Sequence, residues 1–198
     1  MKINRRVFAA LVKQTAGAKE ARQPLRYVAA YGPDLLAGTD GRRLALVHPN
    51  TWSYSQVIKQ MVETPATILD TAWATYAMSE PGCTVSSDYE IQQLIDSKAG
   101  TMHSDLTWPE AVKICPDPSK LRVTSRVREY GEPTLDDLQD GPRMSLLTAE
   151  KVACLARSIG MKNDDTLVYL HMSPRGVCIL RCEGPILAAT YLFMATRA

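Results

Sequence analysis

Two adjacent arginines, Arg42 and Arg43, leave the polar turn Thr39-Asp40-Gly41 and enter the apolar run Leu44-Ala45-Leu46-Val47. Asp-Gly between alternating residues predicts a hairpin, because glycine takes positive φ without steric cost and aspartate bonds its own backbone. Successive side chains on the outgoing strand point to opposite faces, so Leu44 and Leu46 share one face and the two arginines are divided. One arginine must therefore lie against the apolar side or at its rim. A second set of cations lies at helical spacing. In "RRVFAALVKQTAGAK" the stripe Val7, Phe8, Leu11 and Val12 follows a candidate N-cap at Asn4 and leaves Arg5, Arg6 and Lys13 on the other side. "MSLLTAEKVACLARSIG" repeats the arrangement, with Thr148 as the expected N-cap, Val152, Leu155, Ala156 and Ile159 as the stripe, and Lys151 and Arg157 off it. Such cations either solvate a helix face or meet an anionic partner.

Other chemistry has less support. His48, His103 and His171 are far apart and none has metal-ligand spacing. The cysteines Cys83, Cys115, Cys154, Cys178 and Cys182 are odd in number and lack a C-x-x-C pair with matching histidines. Neither a disulfide framework nor a zinc site is expected, and they read as reduced thiols. A Cys–His pair such as Cys115 with His103 is the one arrangement that nucleophilic catalysis offers. The glycine-rich nucleotide loops are absent, the acidic run from Thr134 to Asp140 reads as a solvated loop around Asp136 and Asp137, and Trp52, Trp73 and Trp108 read as packing residues. No catalytic residue, metal or cofactor is expected, and the chain reads as a non-enzyme.

With 198 residues, 45% hydrophobic and 22% charged, the chain is long enough for one or two globular domains. A net charge of +2 says nothing about nucleic acid by itself, since only the distribution of charge can create a basic face. No apolar run approaches the ~18 residues that span a bilayer, and the basic N-terminus leads into an amphipathic stretch. No membrane association is expected, and the expected location is cytoplasmic.

The elements that must position the cations have an α+β pattern. After "MKIN", a possible strand, and the first helix, "LRYVAAY", "DLLAG" and "RRLALVHP" read as strands. "KLRVTSRVREYG" is a further strand candidate, and "TLVYLHM", "GVCILRCE" and "ILAATYLFMA" follow the second helix. Both ends thus carry a basic-faced helix followed by strands, which suggests an internal structural repeat. Residues 50–118 break it with helix-like stretches, "SYSQVIKQMVE", "TILDTAWATYAM", "YEIQQLIDSKA" and "WPEAVKI", punctuated by prolines and glycines.

The segment "LRYVAAYGPDLLAGTDGRRLALVHP" resembles that of bacterial DNA polymerase sliding clamps, the beta subunit family, which carries the pattern T-D-G-H-R-L-A. Arg42 stands where that family usually has histidine. "ATYLFMATRA" is similar to the family's closing A-x-Y-V-V-M-P-M-R-L, with Ala195 for proline and Thr196 for methionine, and "TAEKVACLARSIG" with its following strands resembles the second half of a clamp domain. The resemblance spans about 125 residues at the two ends of the chain.

What it implies is a sheet-backed domain with two basic-faced helices, six such domains forming a ring around double-stranded DNA. Arg5, Arg6, Lys13, Lys151 and Arg157 would then meet phosphates without reading bases, as sliding requires. It further implies a pocket for short peptide motifs of polymerases or other replication proteins, with Thr39, Gly41, Arg42, Arg43 and Leu44 as one wall and Leu192, Met194 and Arg197 as the other. The usual clamp has three domains in nearly twice this length. Two parsings are open: residues 1–49 and 119–198 as one domain interrupted by a mainly helical insertion at 50–118, which leaves the clamp elements complete, or two abridged domains divided near "WPEAVKICP". The implied protein is a processivity factor that self-associates, six copies closing a ring in the first parsing and three in the second. The alternative is a clamp-fold interaction or inhibitor protein of a phage or mobile element that binds a host protein without encircling DNA.

Overall fold

Strand β1 (Lys2–Asn4) passes directly into helix α1 (Arg5–Val12), because the Asn4 side chain accepts a hydrogen bond from the Val7 N–H at 3.1 Å and ends the extended backbone there. The computed structural model describes residues 1–79, 88–97, 106–120, 144–162, 168–172 and 177–194, with the backbone alone at 88, 120 and 168–172. Val7, Phe8 and Leu11 are buried as their spacing predicts, and Val12 is half-buried at the end of the stripe. A polar segment and a short 3-10 turn, Gln23–Arg26, lead to β2 (Val28–Ala30), β3 (Leu36–Thr39) and β4 (Arg43–Pro49). The predicted hairpin joins β3 to β4. Gly41 has φ +83°, the Thr39 hydroxyl accepts from the Gly41 N–H at 3.1 Å, and Asp40 Oδ1 accepts from the N–H groups of Arg42 and Arg43 at 3.1 and 3.0 Å.

The second half begins with a helix that starts one turn earlier than its apolar stripe. Helix α5 (Leu146–Ser158) is capped by Ser145, whose Oγ accepts from the Thr148 N–H at 3.2 Å, so the expected cap at Thr148 is corrected to Ser145. Leu146 and Leu147 occupy the first turn but stay exposed, which is why the stripe of Val152, Leu155, Ala156 and Ile159 did not extend back to the true start. Strands β7 (Val168–Met172), β8 (Val177–Glu183) and β9 (Leu187–Met194) follow.

Between the halves lie α2 (Tyr54–Glu63), β5 (Thr67–Leu69), α3 (Thr71–Ala77), β6 (Asp88–Glu90) and α4 (Ile91–Asp96). Helix α2 is started by a reciprocal capping box between Ser53 and Gln56, and α3 by the Asp70 carboxylate on the Trp73 N–H. Strand β6 pairs with β1, and β5 joins the large sheet. Among its described residues, the segment between the halves thus carries three α-helices, an edge strand of the large sheet and the partner strand of β1.

That large sheet is antiparallel throughout, in the order β5-β2-β3-β4-β9-β8-β7. Apart from β5 the order is a palindrome, with the three strands of each half running outward from the central β4–β9 pair. Period-two alternation divides the core. Ala45, Val47, Leu180, Tyr191 and Phe193 face α1, α5, α3 and α4, whereas Leu44, Leu46, Ile179 and Leu192 face α2 and the segment around Trp108 and Ala111. The result is an α+β fold with helices on both faces of one sheet. A buried polar knot ties the two halves: Gln14 donates to the carbonyls of Ala10 and Lys151 at 3.0 and 3.3 Å and accepts from the Tyr191 hydroxyl. Burial pushes the Tyr191 hydroxyl far above its ordinary pKa, so it remains the donor.

Candidate functional site

The cations of α1 and α5 are used differently. Arg5, Arg6 and Lys13 are exposed, and among the described residues no carboxylate pairs with them. On α5, Arg157 is exposed, but Lys151 is turned inward with 19% of its side chain exposed and its Nζ 3.5 Å from Asp40 Oδ2. Glu150 is exposed beside it. The basic face of α5 is thus reduced to Arg157 at the surface.

Asp40 also holds the second arginine of the hairpin. Arg43 donates from Nε to Asp40 Oδ2 at 2.9 Å and from Nη2 to the same oxygen, while its Nη1 donates to Thr148 Oγ1 of α5 at 3.2 Å. Burial alone would raise the Asp40 carboxyl, but hydrogen bonds from Arg43 and from the turn, with the charge of Lys151, hold it below its ordinary value. Partial burial lowers the Lys151 ammonium, against the opposing pull of Asp40. The arginine at the apolar side is therefore Arg43, and the turn clips α5 onto the sheet. Arg42 points away and is exposed.

The residues implied for a peptide pocket are brought together only in part. Leu44 and Leu192 are register partners across β4 and β9 on one face, but they are 0% and 2% exposed in the core that includes Tyr54, Val57, Trp108 and Ala111. Thr39 is buried, with its hydroxyl spent on the turn, and Arg43 lies on the opposite face from Leu44. Met194 is 56% exposed at the end of β9. Arg197 lies outside the described residues, as do Cys83, His103, all of the 120–131 strand candidate after Lys120, and the acidic run with Asp136 and Asp137.

A cleft that the sequence did not foretell lies beside the hairpin. The loop after α1 folds against the turn and leaves a shallow cleft of about 420 Å³, open to solvent over most of its extent and lined by Lys19, Arg22, Arg42 and Arg43, with Glu20 and Asp40 among them. A Cβ built on Gly41 would stand 2.7 Å from Arg22 Nη2, so the guanidinium rests on the glycine of the turn. The available signal was the accumulation of Lys13, Lys19, Arg22 and Arg26 around a single acid, Glu20, between the first helix and the first long strand.

Elsewhere, burial favours the neutral form of one histidine and two cysteines, whereas the buried guanidinium of Arg181 is paired with Glu183 at 2.6 Å. His48 is pushed down to about 4 by burial, with Nε2 against Thr190 Oγ1 at 2.9 Å and Trp52 stacked on its ring. The Cys115 thiol is pushed up to about 11 and that of Cys182 to about 12, both by burial. Among the described residues no group of three or more His, Cys, Asp or Glu could hold a metal ion, and no helix is long and apolar enough to cross a membrane. Comparison with family models, with curated proteins and with solved structures finds no match to this chain.

Proposed function

We propose that this chain is a sliding-clamp-like accessory protein of DNA replication that holds double-stranded DNA through its phosphates and tethers a partner protein. The observation that carries the reading is the palindromic sheet, which sets two helix-and-three-strand halves about β4 and β9 and lays α1 and α5 on the same face. A sheet-backed unit carrying two helices is what the resemblance implies for a clamp domain. The charges on α1 add support. Arg5 and Arg6 sit in the first turn of a helix that has no acid there, where the macrodipole opposes each cation by about 0.3–1 kcal/mol. They weaken the helix slightly and concentrate positive potential at its start, which favours a role toward an anion over one in stability. A unit of this size reaches around DNA only as an assembly, so self-association is part of the proposal.

A second reading is favoured by the burial of Leu44 and Leu192. With those positions covered by the chain's own residues, a clamp-fold interaction or inhibitor protein would use another surface to bind a host protein. Duplex binding measured from low to moderate salt separates the two. The clamp-like reading predicts affinity that falls steeply as salt rises, together with assembly beyond the monomer in light scattering with DNA present. A strict monomer with no binding at low salt overturns it in favour of the second.

A further inference from the structure

The geometry points to the cleft between residues 16–22 and the 40–43 turn as a nucleic-acid phosphate site, in which Arg22 and Arg42 grip an internal phosphodiester and Lys19 adds charge. The proposal rests on the DNA-binding reading but assigns the grip to residues outside both helix faces. It removes Arg42 from the implied peptide pocket.

Four cations line the cleft against two carboxylates, and both carboxylates are already engaged. Asp40 is held by Arg43, Lys151 and two backbone N–H groups. Glu20 Oε1 accepts from the Arg22 N–H at 3.2 Å and from Arg22 Nε at 2.9 Å. That second bond orients the guanidinium and leaves its Nη1 and Nη2 donors over Gly41. Among the described residues neither Lys19 nor the Arg42 side chain has a partner. Two guanidinium groups with free donors, one from each wall, suit the tetrahedral oxygens of a phosphate, and guanidinium is the cation that matches such oxygens in bidentate fashion.

The turn's backbone N–H groups of Gly41, Arg42 and Arg43 are consumed within the turn. The cleft therefore lacks the backbone donors of a nucleotide-phosphate loop, and its side-chain donors suit a strand passing through it better than a small anion enclosed by it. Its position agrees: the exposed Lys13 follows the last residue of α1 and immediately precedes the loop, and Gln14 ties that end of α1 to Lys151 of α5.

The probe is a four-nucleotide oligothymidine with internal phosphodiesters only, titrated into the isotope-labelled full chain while amide and arginine Nε–H resonances are followed. Shifts are expected at the amides of residues 17, 41 and 42 and at the Arg22 Nε–H of the parent, with loss of the amide shifts in Arg22→Gln/Arg42→Gln and only part of them kept in Arg22→Lys/Arg42→Lys, which retains the charge without the bidentate fork. Circular dichroism melting establishes that each variant is folded. Inorganic phosphate at equal concentration is expected to leave these resonances in place. If phosphate reproduces the shifts and the oligonucleotide does not, the site binds a small anion and the proposal is overturned. It is likewise overturned if the oligonucleotide shifts other residues or shifts the glutamine variant equally. With duplex DNA, the glutamine variant should bind at least about tenfold more weakly at about 0.1 M salt, and its salt slope should fall by about two units. An Arg6→Gln/Lys13→Gln variant separates the two readings. If it binds duplex like the parent while the cleft still takes the oligonucleotide, the helix-face reading fails and the cleft stands. If it loses duplex binding and the cleft variant does not, the cleft fails alone.

Discussion

Helices α1 and α5 follow the same sequence pattern, occupy the same face of the sheet and are each followed by three strands, yet they spend their charges in opposite ways. On α1 the cations are exposed and unpaired among the described residues. On α5, Lys151 is turned down to Asp40, where Arg43 also arrives, and the pair fastens the helix to the β3–β4 turn. The difference teaches that a cation off the apolar stripe of a helix is surplus only when no neighbouring turn presents a carboxylate to it. One half leaves its charge exposed, and the other uses part of its charge as an internal fastening.

Each half also brings its helix close to the sheet through a glycine, and these glycines give the largest expected effects. A Cβ on Gly184, between β8 and β9, would stand 2.0 Å from the Ile159 carbonyl oxygen at the end of α5, whereas one on Gly38 in β3 would stand 2.9 Å from the Leu11 carbonyl oxygen of α1. Gly184→Ala should cost about 3 kcal/mol and Gly38→Ala about 1 kcal/mol in denaturant unfolding, because overpacking against a fixed backbone cannot relax by rotamer change. Equal costs would mean that the two helices are not seated differently.

Next in size is the fastening. Asp40→Asn leaves Arg43 and Lys151 partly buried without their counter-charge and should destabilise by about 1–3 kcal/mol. It should also alter the acid limb of stability. The folded carboxyl is held below its unfolded value of about 3.9, so the stabilisation is present above that value and is lost as pH falls through the lower folded value. The parent should therefore lose more stability than the Asp40→Asn variant on acidification below about pH 4. Parallel losses in the two proteins would remove Asp40 from the account. Smaller again is the contrast between single helix charges. Lys151→Ala should cost less than about 1 kcal/mol, because burial of its ammonium offsets its attraction to Asp40, and Arg6→Ala should be neutral or stabilise by up to about 0.5 kcal/mol, because it removes a cation that opposes the helix dipole.

Much of this contrast was legible in the sequence, and the reasons are local. Asn4, the Val7–Phe8–Leu11 stripe and Asp40-Gly41 act within a few residues, so helix α1 and the β3–β4 hairpin could be read directly. The division of Arg42 from Arg43 followed from strand alternation alone. What could not be read depends on chain segments meeting in space. Nothing in the spacing of α5 says that Asp40 will stand beside Lys151, or that Arg22 will rest on Gly41. Three residues, Thr67–Leu69, are too few for a periodicity signal and join β2 only because the neighbouring helices bring them to its edge. The shared face of Leu44 and Leu46 was legible from alternation, but the pairing of Leu44 with Leu192, which the resemblance put on separate pocket walls, and their covering by residues near Trp108 were not.

The most direct test of the central claim is the salt dependence of duplex DNA affinity, compared between the parent and Arg6→Glu/Lys13→Glu. If α1 offers its free cations to phosphates, the double variant stays folded, binds all duplex sequences more weakly, and shows a slope of log affinity against log salt that is shallower by about two units. A folded double variant with the parent's affinity and slope would contradict the account.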